Sequence, residues 1–171
     1  SNQLFLNVNT PEEYAALKKP FVFCVSGFKN SGKTRLILLL LGELKKRGKT
    51  FAVIKHDGHD CFSDAEETDT FRFSEQGALA TAIFSESRYM FSAQQAVSAE
   101  NLSNQIKSLS PKPDYIIIEG LKNSAYPKIE VLRKGVSEKS TCNNLICTAS
   151  DFEIQKDSSN APSTSPIPNF H

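Results

Sequence analysis

The segment Gly27-Phe28-Lys29-Asn30-Ser31-Gly32-Lys33-Thr34 fits the pattern GxxxxGK[ST] and follows directly on an apolar run, Phe21-Val22-Phe23-Cys24-Val25-Ser26. Few patterns constrain a fold so tightly. A strand must deliver the chain to a turn whose backbone N–H groups converge, and a helix must leave that turn with its positive end facing the same point. Residues Arg35 to Arg47 have the composition of that helix. Such a site takes a polyphosphate: Lys33 reaches the β- and γ-phosphates, and Thr34 offers its hydroxyl to Mg²⁺. Gly27 and Gly32 fit because the chain must turn sharply and approach phosphates without a Cβ in the way. Lys29, Asn30 and Ser31 within the turn, and Arg35 just beyond it, complete the set expected to face the nucleotide.

The rest of the chain supplies a matching scaffold. Residues 51–55 and 115–118 are continuous apolar runs, as in buried parallel strands. Residues 81–84, 89–91, 128–133 and 144–148 also read as strands, and 68–77 and 98–109 have helical spacing. This alternation predicts an α/β class: a P-loop NTPase fold with a mainly parallel central sheet flanked by helices. The helix after the turn carries Leu36, Ile37, Leu38, Leu39, Leu40, Leu41 and Leu44. Apolar on most faces, it is expected to lie buried between the sheet and another layer. Thr10, Pro11 and Glu13 predict a short helix running to about Lys18. From Ser158 the chain turns Ser- and Pro-rich, which predicts an extended tail. The expected organisation is an N-terminal extension over 1–19, a P-loop nucleotide-binding domain over 20–151, and a Ser/Pro-rich tail over 152–171. A length of 171 residues suits one such domain.

A formal charge of +1 gives no general attraction to nucleic acid or to a membrane surface, so neither is an expected partner. No apolar run approaches the roughly 20 residues that span a bilayer, and no signal peptide is recognisable, so a cytoplasmic protein is expected. Cys24, Cys61, Cys142 and Cys147 form no CxxC pair and read as reduced thiols.

Three further constellations carry chemistry. Glu119 ends the run Asp114 to Ile118, at the strand tip where ligands of parallel sheets collect. Its carboxylate is expected to hold the Mg²⁺ shell or to orient an attacking water, which makes it a catalytic candidate beside Lys33. Lys55-His56-Asp57-Gly58-His59-Asp60-Cys61 reads either as a switch-like loop in which Asp57 assists Mg²⁺, or as a zinc site. Thr148-Ala149-Ser150-Asp151 follows a predicted strand and partly matches the [NT]KxD element that reads guanine. Asp151 can accept from the two guanine donors, whereas Ala149 lacks the Lys stem that would cover the base.

Taken in order, GFKNSGKT, IKHDGHD, DTFRFSEQGA and DYIIIEGLKNSAYPKIEVLR resemble the molybdopterin-guanine dinucleotide biosynthesis protein B family, MobB, from about Phe21 to Asp151. That resemblance implies a GTP-binding protein, usually a homodimer, with weak Mg²⁺-dependent GTPase activity and an accessory role in molybdenum-cofactor maturation. The implied partner is a MobA-like molybdopterin guanylyltransferase, with molybdopterin itself as a further ligand. The matching positions are the P-loop, Lys55 to Asp60, Asp69, Arg72, Glu119, Gly120, Lys122 and Lys128.

The chain departs from the family pattern in two places. Relatives continue past the TASD-like element into a closing helix where this chain is Ser/Pro-rich. Phe28 stands where deviant P-loops of MinD-like ATPases have a lysine, for which Lys29 is a weak substitute. Two other functions compete with the GTPase reading. One is a small-molecule kinase whose acceptor is bound by the KHDGHD loop or by Asp69 and Arg72. The other is an adaptor that binds nucleotide or molybdopterin without turnover.

Overall fold

The computed structural model describes residue 10, residues 19–58 and residues 68–154. The expected helix near residues 11–18, the loop residues His59, Asp60 and Cys61, and the Ser/Pro-rich segment from Ser158 lie outside the described residues. Among the described residues, those up to His56 and those from Ala99 onward form one compact unit, and those within Asp57–Ser98 form a second.

The first unit contains β1 (Phe21–Ser26), α1 (Lys33–Lys46) and β2 (Phe51–Lys55). After the second unit the chain returns through α3 (Ala99–Lys107), β5 (Tyr115–Glu119), β6 (Lys128–Leu132) and β7 (Leu145–Ser150). The five strands form one sheet in the order β2-β5-β1-β6-β7, and every pairing is parallel. β1 lies at the centre. The chain leaves it toward β2 on one side and later passes to β6 on the other, so the C-terminal tip of β1 is a topological switch point, where ligands of such sheets bind.

Alternation along the strands assigns the two faces. Phe23 and Val25 of β1, Ile117 of β5 and Val131 of β6 pack with Ile37, Leu36, Leu40, Leu41 and Leu44 of α1. Cys24, Ile54, Ile116 and Ile118 face the other way, toward Ala99, Leu102 and Ile106 of α3. β5 is therefore enclosed on both faces, which is why Ile116, Ile117 and Ile118 are contiguous in sequence.

The full enclosure expected of α1 is not found: Ile37 is its one buried residue, while Leu38 is 64% and Leu39 41% exposed. A helix lying on one face of a sheet buries a single stripe, so a run of consecutive leucines leaves some of them outside that stripe. Lys45 and Lys46 sit in its last turn, where cations suit the helix dipole, and Gly48 follows with φ +64°.

The second unit holds α2 (Asp69–Glu75) and an antiparallel hairpin, β3 (Ala80–Phe84) with β4 (Tyr89–Ala93). Thr68 caps α2, its Oγ1 accepting from Phe71 N. Among the described residues, β3 and β4 form a two-stranded sheet of their own.

Candidate functional site

The turn leaving β1 is shaped by three positive φ angles: +145° at Gly27, +63° at Asn30 and +100° at Gly32. A Cβ on Gly27 would lie 2.6 Å from the backbone oxygen of Val131 and 2.8 Å from Ser31 Oγ, so glycine is enforced by the neighbouring strand as well as by the turn. Gly32 caps α1 in the left-handed conformation. No side chain caps this helix, and no acidic residue occupies its first turn. A helix start of this kind offers N–H groups and a positive dipole end to an anion. Ser31 Oγ is also buried there without a hydrogen-bond partner.

Lys33 folds back over the turn, its Nζ donating to Phe28 O at 2.8 Å. The ring of Phe28 carries a second cation, Lys122 Nζ, 4.6 Å from its centroid. Phe28 thus holds two ammonium groups next to an uncapped helix start.

Glu119 is the last residue of β5 and stands beside Val25 in the register of β1. Thr34 Oγ1 lies 3.1 Å from one carboxylate oxygen of Glu119 and 3.2 Å from the other. A hydroxyl against a carboxylate is a hard-oxygen arrangement, the donor type that Mg²⁺ takes together with several waters. Among the described residues no cluster of three or more His, Cys, Asp or Glu side chains is placed to hold a metal. Gly120 and Leu121, with φ +105° and +52°, then turn the chain away from β5. Gly120 N donates to Val25 O, and His56 N to Glu119 O, so the ends of β1, β2 and β5 are joined by backbone bonds.

Asp57 belongs to the second unit, as do Asp69 and Arg72, which face each other at 3.6 Å on exposed α2. Thr148, Ala149 and Ser150 are the last residues of β7 rather than part of a loop after it, and only Asp151 lies beyond the strand. The Asp151 carboxylate accepts from Lys134 N at 2.9 Å and lies 4.0 Å from Arg133 Nε. Arg133 Nη1 in turn donates to Asn30 O at 2.8 Å. Arg133 is not marked by the sequence, because its place beside the turn depends on the pairing of β6 with β1.

Also unforeseen is the burial of both charged residues of the PKIEV segment, Lys128 and Glu130, each 0% exposed. Lys128 Nζ donates to Ser124 O and Tyr126 O, clipping the loop that carries Lys122. Burial also pushes the Cys24 thiol up, opposed in part by its hydrogen bond with Ser124 and by the charge of Lys128. Among the described residues, Cys24, Cys142 and Cys147 form no disulfide.

Glu130 accepts from Ser140 Oγ, Thr141 N, Thr141 Oγ1 and Cys142 N. Burial raises its carboxyl, but these hydrogen bonds outweigh it and hold the group below its ordinary value. Its contribution to stability is complete above the unfolded-state value of about 4.3 and is lost as pH falls through the lower folded-state value. Glu130→Gln should cost roughly 1–3 kcal/mol at neutral pH and flatten the acid limb. Urea midpoints measured between about pH 7 and about pH 3 check this. Parallel acid limbs for the two proteins contradict it.

A central parallel strand ending in a glycine-bracketed turn, followed at once by a helix and flanked by a strand ending in Glu, defines a P-loop NTPase-like α/β fold. The same fold is present in the crystal structure of Bacillus subtilis MobB, with a TM-score of 0.65 at 23% identity over 84% of this chain and 87% of that one. The family model described as Molybdopterin guanine dinucleotide synthesis protein B matches residues 22–151. The chain belongs to the MobB family. A Methanocaldococcus jannaschii protein named for molybdopterin-guanine dinucleotide biosynthesis is 38% identical over 117 residues, 66% of this chain and 47% of that protein. The Haemophilus influenzae molybdopterin-guanine dinucleotide biosynthesis adapter protein is 31% identical over 117 residues, 67% of this chain and 64% of its own length. The match thus spans about half of the first relative and just under two thirds of the second.

Proposed function

We propose that this chain is an adapter in molybdopterin guanine dinucleotide biosynthesis that binds GTP with Mg²⁺ at the Gly27–Thr34 turn, hydrolyses it weakly and serves a molybdopterin guanylyltransferase. The reading is carried by one juxtaposition: Thr34 Oγ1 set against both oxygens of Glu119 at the start of an uncapped helix. Lys33 exchanges Phe28 O for the β- and γ-phosphates, and the first amides of α1 take the remaining phosphate oxygens. Thr34 and Glu119 would hold Mg²⁺, which when bound would offset phosphate charge. Glu119 also orients the attacking water. Asp151 takes the guanine edge. Hydrolysis is slow because no arginine finger is identified, and a missing finger costs about 10³ to 10⁵ in rate.

Homodimer formation is part of the proposal. On one face of the hairpin Phe84 and Tyr89 stand opposite each other with Phe91 two residues on; they are 84%, 71% and 63% exposed. Two strands alone are marginal, and a second copy would cover this aromatic face. A monomer at every concentration in sedimentation equilibrium contradicts this part.

The hydrolytic role is tested with Glu119→Gln, which keeps the side-chain shape and removes the charge. Phosphate release from GTP should fall roughly a hundredfold, while GTP affinity in Mg²⁺ changes by about tenfold or less. Release at the wild-type rate contradicts the role given to Glu119. Turnover absent from both proteins, with GTP still bound, favours the non-hydrolysing adaptor.

A further inference from the structure

We propose that Arg133 is a positioning residue for the phosphate-binding turn and that Asp151 acts on the turn through it; the proposal rests on the nucleotide reading above. Arg133 follows directly on β6, which pairs with β1, so its position lies beside the turn. Its backbone is fixed by a tight turn of its own, with Arg133 N donating to Ser137 O, and Val136 N and Ser137 N donating to Arg133 O. From that base the guanidinium reaches Asn30 O at 2.8 Å.

Asn30 is where the turn most needs holding. It is a non-glycine residue at φ +63°, in the left-handed region that asparagine enters more readily than other residues with a Cβ, and an outside hold on its peptide fixes it there. The peptide plane sets C=O and the following N–H on opposite sides. With Asn30 O held by Arg133, Ser31 N–H points inward and closes on Phe28 O at 3.2 Å. Phe28 O is also where Lys33 Nζ rests. One guanidinium therefore sets the peptide that shapes the turn around Lys33.

The second anchor of Arg133 is Asp151, 4.0 Å from Nε, itself held by Lys134 N at 2.9 Å. Asp151 is placed to steady the phosphate end of the site whatever it does at the base end. A ligand without a base separates the two roles. Inorganic tripolyphosphate with Mg²⁺ has no group for Asp151 to read.

The experiment is calorimetric titration of Mg²⁺-tripolyphosphate into wild type, Arg133→Ala, Arg133→Lys, Asp151→Asn and the Arg133→Ala/Asp151→Asn double variant. Amide exchange at Ser31 and Gly32 is followed in the ligand-free proteins. The contacts are partly exposed, so Arg133→Ala should weaken binding about three- to tenfold and Asp151→Asn about two- to fivefold. Lysine should restore part of the loss, and the double variant should be no weaker than Arg133→Ala. Exchange at Ser31 should quicken in Arg133→Ala. Unchanged binding in Arg133→Ala overturns the positioning role, and unchanged binding in Asp151→Asn, or losses that multiply in the double variant, overturns the link. If wild type binds neither tripolyphosphate nor GTP, the nucleotide reading fails. The brace is then judged on exchange alone: faster Ser31 exchange in Arg133→Ala supports it, and an unchanged rate overturns it.

Discussion

Lys33→Ala should fold and yet lose the stabilisation that GTP and Mg²⁺ confer. In the free protein Lys33 makes one exposed hydrogen bond, to Phe28 O, so its removal should cost less than about 1 kcal/mol of folding stability. Its removal from the nucleotide complex is far costlier, because a charge-assisted contact to the phosphates disappears from the point where their negative charge is greatest. A hundredfold excess over the dissociation constant stabilises wild type by about 2.7 kcal/mol. The alanine variant at the same nucleotide concentration should show close to none. Thermal midpoints with GTP, with ATP and without nucleotide measure this directly. The same comparison tests guanine preference, since equal shifts with GTP and ATP would remove the role given to Asp151 at the base.

Gly27→Ala is the second large effect, and it acts on the fold itself. The added Cβ meets Val131 O at 2.6 Å, and that oxygen belongs to a buried strand that cannot step aside. Ser31 Oγ, at 2.8 Å, can rotate away, so it is the backbone clash that decides the outcome. The φ of +145° is in addition a region where residues with a Cβ are strained. Together these should destabilise the protein by roughly 2–4 kcal/mol and abolish nucleotide binding. Gly32→Ala provides the comparison: nothing lies within 4 Å of its added Cβ, leaving only the strain of φ +100°. Urea midpoints should rank wild type above Gly32→Ala and Gly32→Ala above Gly27→Ala. A Gly27→Ala midpoint equal to that of Gly32→Ala would show that Val131 does not confine the turn.

The parts of this molecule legible from sequence are those whose physics is local. β5 and most of β1 are continuous apolar runs because both faces are covered, β2 is an equally apolar run although it is an edge strand with Val53 42% exposed, and the glycines and Lys33-Thr34 mark the turn without reference to any neighbour. The place of Glu119 at the tip of β5 is legible because the apolar run stops there. What stayed hidden depends on which strands lie side by side. Residues 128–133 read as a strand, but nothing in that pattern reports that loops 121–127 and 140–142 fold over the face of Lys128 and Glu130 and satisfy both charges. Arg133 acquires its role only because β6 pairs with β1, and no spacing along the chain reports that pairing. The exposed flank of α1 has the same origin: consecutive leucines announce a buried helix, but how many layers cover it is a property of the assembled fold. The hairpin was read correctly as two strands. Its separation from the parallel sheet could not be read from periods that are alike in both settings.

The central claim, that the turn at residues 27–34 grips a nucleoside triphosphate, is tested most directly by crystals grown with Mg²⁺ and a non-hydrolysable GTP analogue. The account predicts the triphosphate over the amides at the start of α1, Lys33 Nζ moved from Phe28 O to the β- and γ-phosphates, and Thr34 and Glu119 facing the metal. A turn left empty at saturating analogue, with Lys33 still bonded to Phe28 O, would contradict it.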